Sequence, residues 1–341
     1  MRNTAPAAST LPIELFNDTG LHYVRVEGRD DEPGPRRGVV DIAVLDMHHR
    51  YANLGHSSIV ETLLGFGHTE RKALGAAAPE VRVISYDLRG SGAVPRSPAS
   101  RFPIVIGTGG PGALDPRLND GISEWSQGVL EDPAWEARLF RFFDDVLATE
   151  GSAFMGVCHS FGLLCRWSGV AEAVLRTPEK GKSAGVVRNL LSEQALSHPW
   201  FSGYHVANSG RAIEVLDSRL FDLIPTGFRT DAFLANEVNG NGLPGPAVTM
   251  LELARDREGV LPRIWGVNHH PEIGDRGLQR KRLQRLSERG EVTPEWVTER
   301  TRALDAWNQS AHTEHRLQST SAFTFERPLH TFVRRALRAH L

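Results

Sequence analysis

Phe154-Met155-Gly156-Val157 is a short apolar run, and Cys158-His159-Ser160-Phe161-Gly162 follows it with no spacer. Four uncharged residues suit a strand buried on both faces of a sheet. Beyond them Leu163, Leu164 and Trp167 fall at helical spacing, so strand gives way to helix at Cys158. A residue at the apex of such a turn is strained and exposed. It also stands beside a helix N-terminus, whose partial positive charge suits an anion. A buried structural cysteine is the competing reading of the same pattern.

Working outward, the same rhythm repeats. Val39 to Leu45, Val81 to Tyr86 and Phe102 to Ile106 are apolar runs of strand length. A helical stretch from about Ser57 to Leu64 follows the first. In 132–147, Trp135, Leu139, Phe142, Phe143 and Val146 share one helical face. Strands alternating with helices predict an α/β fold, a mostly parallel sheet with helices on both faces. Ligands of such sheets bind at the carboxyl ends of the strands, which is where Cys158 falls.

Two further segments reach that edge. Gly107-Thr108-Gly109-Gly110-Pro111-Gly112 follows the third run. Its glycines let backbone N–H groups approach a ligand closely, as oxyanion stabilisation requires, although a plain tight turn has the same composition. Ile264-Trp265-Gly266-Val267-Asn268-His269-His270-Pro271-Glu272 is a strand that ends in a histidine. Pro271 fixes the turn, so that Glu272 can face the imidazole, set its tautomer and leave the other nitrogen as a base toward a thiol. A surface histidine is the plain alternative.

Taken together, GGPG at 109–112, GVCHS at 156–160 and GVNHHPE at 266–272 resemble the three motifs of class I glutamine amidotransferases, in that family's order. Asp217 to Phe221 and Ala247 to Met250 are lesser echoes. The resemblance covers roughly 38–275 and implies a flavodoxin-like sheet. It further implies Cys158 as nucleophile, His270 as proton carrier and Glu272 as its orienter. Gly109, Gly110 and His159 would then surround the oxyanion, with Ser160 on the substrate side. The family's elbow continues Cys-x-Gly-x-Gln, whereas Ser160 and Gly162 stand here. Its usual Ser-His segment is replaced by Leu234-Ala235-Asn236-Glu237-Val238. Ser160 and Gly162 both fall on the substrate side, and the stretch between Gly112 and Cys158 is longer than the family's.

The expectation is therefore cysteine-dependent amide or acyl transfer on a small molecule. Glutamine hydrolysis that supplies ammonia to a partner synthase is one form of it. A hydrolase or acyltransferase for another amide or acyl donor is a second. A different class is legible too: Asp87-Leu88-Arg89-Gly90-Ser91-Gly92 and His159-Ser160-Phe161-Gly162 echo α/β-hydrolases, with Ser160 as nucleophile. A degenerate, non-catalytic binding or regulatory subunit is the third reading. His159, His269 and the segment Asp46-Met47-His48-His49-Arg50 flank the site as substrate contacts or as packing.

Composition narrows the partners. The 341 residues carry 39 Lys/Arg and 41 Asp/Glu, a net charge of −2, which favours neither nucleic acid nor an anionic membrane. No apolar run reaches spanning length, and residues 1–12 lack the core of an export signal. Seven residues of helix between Cys158 and Cys165 rise about 10 Å, too far for a disulfide, so free thiols and a cytoplasmic setting are expected. No cofactor is expected. His48, His49 and His56 lack the spacing of a metal site. Residues 1–37 read as an N-terminal extension and linker, and 38–275 as the catalytic-type domain. Residues 276–341 read as a mainly helical extension with 13 Lys/Arg against 7 Asp/Glu, either a solvated helix or a docking surface for an acidic partner.

Overall fold

The computed structural model describes residues 15–341 apart from 29, 52, 177–180, 209 and 307–309. Residues 1–12, read for an export signal, therefore lie outside the described residues. The chain begins β1 (Leu21–Val26), β2 (Val39–Asp46), α1 (Leu54–Leu74), β3 (Glu80–Asp87), α2 (Leu88–Ser91), β4 (Ile104–Gly107), α3 (Glu136–Ala148), β5 (Ala153–Val157) and α4 (His159–Ser168). It continues with β6 (Ala171–Leu175), β7 (Ser183–Leu191), α5 (Glu193–Ser197), α6 (Ser202–Asn208), β8 (Ala212–Arg219), β9 (Phe221–Pro225), β10 (Phe233–Val238), β11 (Pro244–Arg255) and β12 (Pro262–Val267). Four helices close it: α7 (Arg276–Glu288), α8 (Pro294–Ala306), α9 (Ala311–Ser321) and α10 (Arg327–Ala339).

Ten strands make one sheet in the order β1-β3-β2-β4-β5-β12-β11-β10-β7-β8, and β6 pairs with β9 separately. The first six are parallel. The run from β12 to β8 is antiparallel. β2 and β5 are buried along their whole length, β5 being apolar throughout and β2 broken only by Asp41, which pairs with Arg82, before ending in Asp46. Successive side chains of a strand point to opposite faces, and the core divides accordingly. Ile42, Val44, Met155 and Trp265 join one cluster with Val60 and Leu63 of α1 and Leu329 and Val333 of α10. Ala43, Leu45, Phe154 and Ile264 join the other, with Leu139 and Phe143 of α3 and Leu163 and Leu164 of α4.

The sequence reading of the two ends needs amendment. β1, placed within the N-terminal extension, is an edge strand of the sheet, in parallel register with β3 from Leu21↔Val81 to Val26↔Tyr86. Four of its six residues are only partly buried, so no apolar run announces it. Residues 276–341 are helical, but they are not an appendage. α10 completes one face of the core, Trp265 Nε1 donates to the Thr324 carbonyl at 2.9 Å, and Arg282 of α7 meets Glu61 of α1 at 2.7 Å.

Candidate active site

β5 and β12 are parallel neighbours with Val157 opposite Val267. Their carboxyl ends therefore deliver Cys158 and the Asn268-His269-His270 segment side by side. Cys158 occupies φ 48°, ψ −100°, a region that costs a non-glycine residue of order 1–3 kcal/mol and persists only when its surroundings enforce it. Here they do: Cys158 N–H donates to the Val267 carbonyl at 2.8 Å, and its own carbonyl accepts from Gly162 N–H at 3.0 Å. The turn folds back so closely that a β-carbon on Gly156 would stand 2.9 Å from the backbone of Ser160 and Phe161.

His270 Nδ1 lies 2.9 Å from Glu272 Oε1, and the His270 N–H donates to the Leu216 carbonyl at 2.8 Å. The imidazole and the Cys158 side chain line the same cavity, and the Cys158 Sγ lies 4.0 Å from the Ser218 carbonyl. Burial by itself would lower the imidazole's pKa. The Glu272 carboxylate and the Cys158 sulfur override it and hold His270 well above its ordinary 6.5. Glu272 is itself supported: a β-carbon on Gly55 would stand 2.7 Å from Oε1. The carboxylate thus rests on the first turn of α1, where the helix dipole favours an anion.

Gly109 is where the loop after β4 passes this pair. A β-carbon there would come within 2.8 Å of His270 Cε1 and 3.5 Å of Cys158 Cβ. Gly110 packs on the Met47 carbonyl, which a β-carbon would meet at 2.3 Å. Arg89 clamps the loop from behind. Its Nη1 donates to the carbonyls of Met47 at 3.0 Å and Pro111 at 2.6 Å, and it pairs with Glu131 at 2.6 Å with both side chains fully buried. This is the Arg of the segment that echoes α/β-hydrolases; its role here is to shape the glycine loop, a role that no sequence spacing announced.

Cys158, His270, Gly110 and His159 line one cavity of about 360 Å³. Ser160 is not among the lining residues. Its hydroxyl donates to the Thr108 carbonyl at 2.8 Å in a fully buried setting. That bond ties α4 to the end of β4. His159 is buried and uncharged, its pKa driven well below 6.5 by desolvation and by neighbouring Arg89 and His48. His269 is pushed down to about 3, chiefly by burial, and lies off the cavity. His48 does line it, with Nδ1 held by Asp46 Oδ1 at 3.0 Å. On the substrate side, Leu114 lies against Gly162, where a β-carbon would meet Leu114 Cδ1 at 2.3 Å. Leu114 belongs to the lengthened stretch after Gly112 and also lines the cavity. Among the described residues no group of three His, Cys, Asp or Glu is arranged to hold a metal ion, and no helix is long and apolar enough to cross a membrane. Both cysteines are free thiols, and burial pushes Cys165 far above the ordinary thiol pKa.

No family model and no curated protein matches this sequence. Several solved structures do match its fold. A glutamine amidotransferase from Methylobacillus flagellatus is 16% identical, with 89% of this chain and 96% of that one covered and a TM-score of 0.46. A glutamine amidotransferase from Thermotoga maritima is 14% identical, with 88% and 97% covered and a TM-score of 0.44. A putative GMP synthase subunit from Thermoplasma acidophilum is 13% identical, with 68% and 84% covered and a TM-score of 0.39. These likenesses describe the path of the chain; the chemistry rests on the side chains.

Proposed function

We propose that this chain is a cysteine-dependent enzyme of amide or acyl transfer that acts on a small molecule other than free glutamine. One observation carries the chemistry: Cys158, at a strained strand-to-helix turn, shares one cavity with His270, whose Nδ1 lies 2.9 Å from Glu272 Oε1. Cys158 sulfur attacks the carbonyl carbon, and backbone N–H groups of the Gly109-Gly110 loop and of His159 receive the oxyanion. His270 passes its proton to the leaving amine as the C–N bond breaks, leaving a thioester. Water or another acceptor then gives its proton to His270 and its oxygen or nitrogen to the acyl carbon, and the thiolate departs.

Leu114 against Gly162 favours a substrate other than glutamine. The elbow position where the resemblance expects a glutamine side chain is filled by an aliphatic one, so a hydrogen-bonding partner is lost. Hydrolysis of glutamine to feed a partner synthase is the second reading. Incubation with a glutamine-derived diazoketone, read by intact mass and peptide mapping beside Cys158→Ala, separates them. The expected result is no adduct, while Cys158 still reacts with a small alkylating agent. An adduct at Cys158 that is absent from the variant establishes glutamine instead. An unreactive Cys158 ends both readings.

A further inference from the structure

The cavity lining also includes residues that acyl transfer itself does not require. α8 contributes Trp296 and Arg300, and Lys182, just before β7, adds a second cation. Trp296 is anchored in a small core with Leu54, Leu283 and Leu304, and the Arg300 guanidinium lies 5.6 Å from its ring centroid. Arg300 has Glu299 as a neighbour at 3.7 Å, with both side chains largely in water, where such a pair is worth little. Lys182 is exposed and has no ion-pair partner among the described residues. Arg219, the third basic residue of the lining, is different: Asp217, Asp222 and Glu237 surround it. No carboxylate occurs among the described residues that line the cavity. Asn268, also in the lining, is buried and its Nδ2 donor has no hydrogen-bond partner.

These features discriminate by charge. An ammonium group entering the cavity finds no counter-ion there, whereas an anion finds two cations and an unused N–H donor beside apolar Leu114 and Phe221. We infer that the substrate carries an anionic group, carboxylate or phosphate, remote from the scissile carbonyl and read by Lys182 and Arg300. Its apolar body then lies along Leu114, Phe221 and Trp296. This gives the basic C-terminal extension a use at the active site in place of a docking surface. The inference rests on the acyl-transfer reading of Cys158, and its test separates the two.

The test uses iodoacetate, an anion, and iodoacetamide, its neutral counterpart, with alkylation of Cys158 followed by peptide mapping. His270 also attracts an anion, so the comparison is between variants. Lys182→Ala/Arg300→Ala is expected to slow iodoacetate about five- to tenfold and iodoacetamide less than twofold. Lys182→Arg/Arg300→Lys keeps the wild-type ratio of rates. Protection of Cys158 by inorganic phosphate assigns the anion as phosphate, and protection by succinate assigns it as carboxylate. A rate ratio unchanged in the double alanine variant overturns the inference. Cys158 reacting no faster than free cysteine with either reagent overturns the acyl-transfer reading beneath it.

Discussion

On one side of the cavity, Cys158 and His270 stand at the ends of two adjacent parallel strands, locked by the register Val157↔Val267. Elsewhere in the lining, Leu114, Lys182 and Trp296 arrive from three separate stretches of chain, a loop after β4, the lead-in to β7 and the helix α8. The first wall is built from backbone hydrogen bonds a few residues away from the reacting atoms. The second is built from side-chain packing between segments far apart in the chain. A sheet edge therefore keeps its reaction geometry while loops and added helices change what it accepts.

The largest expected effect lies on the strand side. Cys158→Ala should lower turnover of any accepted amide at least about 10³-fold, because the covalent step disappears. Residual turnover above that level would move the nucleophile elsewhere and break the comparison at its root. Arg89→Ala should come next. It strands Glu131 as a buried charge and should destabilise the fold by about 3–5 kcal/mol in denaturant titration, with loss of the glycine loop's shape. A loss under about 1 kcal/mol, small beside that penalty, would mean that the loop holds itself.

Gly109→Ala tests how tightly that loop is fitted. Its methyl would stand 2.8 Å from His270 Cε1, so kcat should fall about 10- to 100-fold with little change in melting temperature, as misplacement of a catalytic group by about 1 Å would. An unaltered kcat would show the loop retreating freely.

The smallest effect is a pH signature. The folded state holds His270 above its ordinary 6.5. The stability it contributes is therefore fully present below that value and is lost as pH rises through the folded-state pKa. Glu272→Gln removes the strongest interaction opposing desolvation. The difference in melting temperature between wild type and this variant should be greatest at and below the ordinary 6.5 and shrink as the pH is made alkaline. A difference that grows with pH would contradict the ion pair.

Legibility in the sequence follows the same division. The β2, β3, β5 and β12 runs could be read because strands buried on both faces are mostly apolar, with only single buried charges such as Asp41, Arg82 and Arg263 among them. β1 and β7 could not: each is only partly buried, so charge interrupts its pattern. That Cys158, His270 and Glu272 would be brought together could be read because motif and strand end coincide within a few residues. The sequence could not show that the Ser160 hydroxyl turns back to Thr108. Arg89, Leu114 and Trp296 reach the site through contacts across the fold, and no local spacing encodes those. His48 was visible as a candidate only because it follows β2 at the carboxyl edge.

The most direct test of the account is the rate at which iodoacetamide alkylates Cys158 at neutral pH in the wild type and in His270→Gln, followed side by side by intact mass. If His270 and Glu272 activate the thiol, the variant should react at least about tenfold more slowly while keeping its fold. Equal rates in the two proteins would show that Cys158 does not depend on His270 and would contradict the triad.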